Sequence, residues 1–76
     1  MDLHNLVIMA NRIGSFFEAQ PDRDEALAGI AEHVRKFWEP RMRAQILAAL
    51  DAGSETGLSE IVHAALLKHR AALQPA

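Results

Sequence analysis

The stretch Arg35-Lys36-Phe37-Trp38-Glu39-Pro40-Arg41-Met42-Arg43 decides the fold of this chain. Proline has no amide hydrogen, and its ring disfavours the α conformation in the residue before it. A helix arriving from the N-terminal side therefore stops near Trp38. A new one starts with Pro40 in its first turn, where an amide would have no partner in any case. The chain's one tryptophan, the adjacent Phe37 and the cations Arg35, Lys36, Arg41 and Arg43 then share a corner between two helices. Trp and Arg are enriched where binding energy concentrates, so the corner reads as a docking site.

Upstream of the corner, Gln20-Pro21 breaks the pattern, and Asp22 followed by Glu25 forms a start resembling a capping box. This predicts a second helix over 23–38, with Ala26, Leu27, Ile30, Ala31, Val34, Phe37 and Trp38 on one face. Gly29 falls on the other face, where a tolerated surface glycine is the simpler expectation and a close backbone approach the alternative. Asp2 supplies an N-cap for a first helix over 3–19. Its Leu6, Val7, Met9, Ala10, Ile13, Phe16 and Phe17 cover about half the circumference, wider than the stripe of roughly 100° on an ordinary surface helix. Such a helix is expected to touch two neighbours, at least one of them in another protein.

Downstream, Met42, Ile46, Ala49 and Leu50 mark a third helix over 40–51 that Gly53 stops. After a loop over 53–57, Ser59 is placed to cap a fourth helix over 60–73, with Ile61, Val62, Ala65, Leu66, Ala72 and Leu73 on one side. Lys68, His69 and Arg70 near its end complement the helix dipole. Strand-like alternation is absent. The expectation is an all-α fold over residues 1–76 as a single domain. Its architecture is a small bundle of three to four short helices, with the proline-marked corner between the second and third.

A chain of 76 residues buries only about 60% of its unfolded surface. Half of its residues are hydrophobic and none is cysteine, so there is much apolar surface, little interior and no disulfide to brace it. Domains of this kind gain stability from a second chain. The net charge of −2 disfavours nucleic acid, and no apolar run approaches the roughly 20 residues that span a bilayer. The start M-D-L-H-N lacks the basic leader of a secretory signal, so a cytoplasmic protein is expected.

Chemistry-bearing patterns are sparse. No two of His4, His33, His63 and His69 fall at the spacing that puts two metal ligands on one helical face. The serines lack a nucleophile-elbow context, and the loop over 53–57 lacks the Lys-Ser/Thr ending of a phosphate cradle. Catalysis, a metal and a cofactor are therefore not expected in this chain. At the corner, Trp38 stacked on a base beside phosphate-binding cations is one reading. Glu39 inside the cluster and the acidic remainder of the chain oppose it. A core tryptophan with a solvated rim is another. Protein docking accounts best for the corner, the broad first helix and the thin core together. The candidate partner-binding residues are Arg35, Phe37, Trp38, Pro40, Arg41, Met42 and Arg43 at the corner, with Asn11, Phe16 and Phe17 on the first helix.

The run L-V-I-M-A-N-R-I-G-S-F-F over 6–17, the run G-I-A-E-H-V-R-K-F-W-E-P-R-M-R over 29–43 and the G-L-S over 57–59 together resemble the formate dehydrogenase delta subunit family. The M-A-N and F-W-x-P-R-M-R elements are the specific parts. The resemblance implies a small accessory subunit of a cytoplasmic, NAD-dependent, molybdenum-containing formate dehydrogenase. It implies membership of a multi-subunit complex; the leading expectation is that this chain binds the large catalytic (alpha) subunit there, and charge and hydropathy argue against nucleic acid and membrane as partners. The molybdenum cofactor, iron–sulfur clusters, FMN and NAD are then carried by partner subunits. Two roles stay open: a non-catalytic subunit that stabilises the catalytic one, and a transient assembly factor for cofactor insertion. A small nucleic-acid-binding helical protein is the third reading. In the first, Trp38 buries its ring at the contact and Arg41 and Arg43 pair with carboxylates of the partner. Phe16 or Phe17 fills an apolar recess there, and Asn11 adds directional hydrogen bonds.

Overall fold

Helix starts in this protein follow its capping residues closely. The computed structural model describes residues 2–53 and 55–75. Helix α1, Leu3–Phe17, begins at Asp2, whose carboxylate accepts a hydrogen bond from the Asn5 amide at 3.3 Å. Helix α2, Arg23–Phe37, begins at Asp22, which accepts from the Glu25 amide at 3.2 Å. Asp24 and Glu25 sit in the first turn of α2 and Arg35 and Lys36 in its last, so both ends complement the dipole. Trp38 then turns extended, with φ −91° and ψ 136°. Pro40 opens α3, Pro40–Asp51, from its first turn. At the far end Gly53 takes φ +69°, a left-handed conformation that side chains resist, and its amide bonds to the Leu50 carbonyl at 3.2 Å.

The fourth predicted helix divides. Helix α4 spans Glu60–Lys68, and the chain breaks at His69 (φ −106°, ψ 20°) before the short α5, Arg70–Leu73. The break lets the tail fold over, so that Leu73 enters the core at 1% exposure. It also brings Arg70 to a two-pronged ion pair with Asp51 at the end of α3. At the break the His69 amide donates to the Ala65 carbonyl at 3.0 Å, while its Nε2 is buried without a hydrogen-bond partner among the described residues. Ser59 occupies the N-cap position of α4 without a hydroxyl cap bond. The first two helices stop slightly early, at Phe17 and Phe37.

Leu6, Ile30, Val34, Ile46, Val62 and Leu66 form the centre of the core. Helix α2 lies against α1 and α4, α1 also meets α3 and α4, and α5 rests on α2 and α4. The broad apolar face of α1 therefore finds three neighbours within its own chain. Two ion pairs tie α2 to α4: Arg23 on Glu60, and Lys68 on Asp24 at 2.9 Å. The radius of gyration is 11.2 Å, against about 11.4 Å for a close-packed domain of this length. What stays exposed is therefore not a product of loose packing.

Candidate docking groove

Three polar or aromatic residues expected at a partner contact are in use inside the chain. Trp38 is 5% exposed and belongs to the core. Directly after α2 it extends the buried row of Leu27, Ala31 and Val34, whose spacing keeps their side chains on one face of the helix. Arg43 is half-buried and acts as a clamp. Its Nε donates to the Leu73 carbonyl at 3.1 Å, and its Nη1 donates to the carbonyls of Arg35 at 3.0 Å and Trp38 at 3.2 Å. The end of α2, the corner and the C-terminal turn are thereby held by one guanidinium, whose fixed fork suits several acceptors at once. Asn11 Oδ1 accepts from the Ser59 amide at 2.8 Å, and its Nδ2 donates to the Gly57 carbonyl at 3.0 Å. That pins the loop before α4 onto α1.

The phenylalanines do the opposite. Phe37, expected on the inner face of α2, is 71% exposed. It sits about 100° from Trp38 around the helix, on the same flank as His33, and the two rings lie 4.8 Å apart. Phe16 is 77% exposed, and its ring meets that of Phe17 edge to face at 5.2 Å. Phe17 is half-buried, leaning across α2. It passes over Gly29, where a Cβ would overlap the Phe17 ring. Gly29 is therefore a site of close approach rather than a tolerated surface glycine.

These residues outline one feature. A cleft of about 340 Å³ runs between α1 and α2 along Phe17, Gly29, Glu32, His33, Lys36 and Phe37. A second of the same volume adjoins it at Ile13, Phe16, Phe17 and His33. All three phenylalanines of the chain thus line a single open groove with an aromatic floor. Ile13, Gly29 and His33 were not singled out as binding residues from sequence. The signal that finds Gly29 and His33 is the four-residue step linking them to Phe37 along one side of α2.

At the groove's edge, Lys36 Nζ lies 2.9 Å from Glu32 and Arg35 lies 3.9 Å from the same carboxylate. The hydrogen bond from Lys36, and then its charge, hold Glu32 below the ordinary carboxylate range. Arg41 and Pro40 are exposed beyond the corner, Arg41 without an ion pair among the described residues, and Met42 packs partly on the core. No group of three His, Cys, Asp or Glu side chains among the described residues is placed to hold a metal. The chain has no cysteine with which to ligate an iron–sulfur cluster, and an apolar aromatic floor does not match a nucleotide's phosphates. Those groups do not fit this chain.

The fold and groove define a small helical protein with an open cleft lined by phenylalanines. The family model described as "NADH-dependant formate dehydrogenase delta subunit FdsD" matches residues 5–66. The chain belongs to that formate dehydrogenase delta subunit family. Neither the curated proteins nor the solved structures searched for likeness contain a match. No helix among the described residues is long and apolar enough to cross a membrane.

Proposed function

We propose that this chain is a non-catalytic accessory subunit that seats its α1–α2 groove on the large catalytic subunit of a cytoplasmic, NAD-dependent molybdenum formate dehydrogenase and stabilises the assembled enzyme. One observation carries the reading: the tryptophan is inside, and every phenylalanine lines the outer groove. Phe16 and Phe37, each about three-quarters exposed, leave on the order of 300 Å² of aromatic surface in water. Covering it is worth roughly 7 kcal/mol gross at about 25 cal/mol per Å². Association and side-chain ordering consume much of that, so the rings act as anchors within a larger contact. Arg41, exposed at the neighbouring corner, remains available to a carboxylate of the partner. The redox cofactors, on this reading, reside in the other subunits.

The test uses Phe16→Ser with Phe37→Ser in the full chain. Both side chains are mostly exposed, so the thermal midpoint of the free chain is expected to hold while co-purification with the catalytic subunit is lost. Recovery of the complex at undiminished yield overturns the assignment. Stoichiometry separates the two family-compatible roles. One copy per catalytic chain in mature, active enzyme marks a permanent subunit, whereas absence from it marks an assembly factor.

A further inference from the structure

We propose that the free chain pairs with a second copy of itself, groove to groove across a two-fold axis. Such an interface uses one patch twice, so the patch must complement itself in shape and charge. The charges that line the groove meet that condition. They are one anion and one cation, Glu32 and Lys36, a single turn apart on α2, with Lys36 Nζ 2.9 Å from the carboxylate. Arg35 lines a separate cleft with His69 and Ala72. Beyond the lining, Arg12 stands one turn from Phe16 and Glu25 one turn from Gly29, again one charge of each sign. Neither sign prevails, so the border does not repel its own image.

A two-fold axis crossing α2 near His33 runs the two copies of that helix antiparallel. Lys36 of each copy then comes within a side chain's reach of Glu32 of the other. Gly29 and Phe37 lie four residues to either side of His33. Each Phe37 is therefore brought over the far end of the other groove, where Phe17 lies across Gly29. The area is of the right order. Phe16 and Phe37 from two copies bring about 600 Å² of aromatic surface, half of the roughly 1,200 Å² at which specific interfaces begin. Ile13, Phe17 and His33 are partly exposed beside them and add to it. The pair is thus small and readily parted. It covers the exposed phenylalanines of the free chain, an aggregation hazard if left open, and yields the groove when the catalytic subunit arrives. That exchange rests on the groove being the contact with the catalytic subunit; the pairing of free chains does not.

Sedimentation of the full free chain between about 1 μM and 1 mM reads the pairing, and the dimer is expected to prevail at the upper end. Phe16→Ser with Phe37→Ser is expected to sediment as a monomer throughout. Lys36→Glu alone and Glu32→Lys alone each set like charges face to face, and each is expected to weaken pairing at least about tenfold. Mixed in equal parts, these two variants should pair as tightly as the parent, because opposite signs meet again. Misfolding does not produce such a recovery. A parent chain that stays monomeric at the highest concentration overturns the pairing. So does a dimer that the phenylalanine variant retains, or a mixture of the charge variants that fails to recover. Capture of the same chains by the immobilised catalytic subunit keeps the docking reading separate. If the free parent is monomeric and its capture is lost in the phenylalanine variant, the groove serves the enzyme and not a second copy. If the parent pairs but the phenylalanine variant is captured undiminished, the pairing stands and the docking reading falls.

Discussion

Asn11 holds the loop over 57–59 by both ends of its amide, accepting from Ser59 and donating to Gly57. Asn11→Ala removes two hydrogen bonds and strands a part-buried amide, which costs about 2 kcal/mol. The expected signature is local: amide exchange at Ser59 accelerates more than exchange in the middle of α2. Uniform acceleration would show instead that the loop melts only with the whole domain. Asn11, Trp38 and Arg43 share a lesson about what a sequence can show. Each has the chemistry of a binding residue, and each answers a need of the fold: a loop amide, a core position, three carbonyls. Buried backbone groups must find partners, but the string of letters does not say where a carbonyl will lie in space. Phe16 and Phe17 were legible as candidates because α1 carries more apolar surface than one neighbour covers.

At the scale of elements, boundaries were readable wherever a side chain or ring enforces them. Asp2, Asp22, Pro40 and Gly53 each set a helix end where expected. The break at His69 was not readable, because no proline or glycine marks it. Beyond the break Leu73 is buried and Arg70 pairs with Asp51, contacts that lie far from it in sequence or in no local pattern. The flank of α2 that carries Phe37 was misassigned for a related reason. Phe37 lies at the edge of the apolar arc, where a small change in how α1 crosses α2 decides between core and water. Gly29→Ala tests how that flank is built. Alanine favours the helix by about 1 kcal/mol but displaces the Phe17 ring from its rest. The two effects oppose each other. The free chain's midpoint should move by less than about 4–8 °C, the equivalent of 1 kcal/mol in so small a domain. Retention by the catalytic subunit should fall nonetheless, and a variant that binds as well as the parent would separate Phe17 from the contact.

For the whole molecule, ion pairs between helices make stability depend on acidity. Asp24, Asp51 and Glu60 are each held below the ordinary carboxylate range, chiefly by the hydrogen bond from Lys68, Arg70 and Arg23 respectively. A carboxylate that binds protons less readily folded than unfolded stabilises the fold above its ordinary pKa. It loses that contribution as pH falls through the depressed value. The thermal midpoint should therefore be level near neutrality and decline below about pH 5. Asp24→Asn with Glu60→Gln should flatten the decline. The pairs are exposed, so the effect is modest and shrinks further in salt. Of the aromatic residues expected to exceed what so small a chain can hide, Phe16 and Phe37 stay exposed, Phe17 is half-buried and Trp38 is buried.

That division has a spectroscopic consequence. Trp38 is the sole indole, the chain has no tyrosine, and the ring is sealed from water. Emission excited in the far red of the aromatic absorption band therefore comes from one buried fluorophore, blue while the bundle stands and red once it opens. The benzyl rings along the groove are dark at that wavelength. The molecule thus carries an optical gauge of its own integrity that is blind to whether its outer cleft is filled.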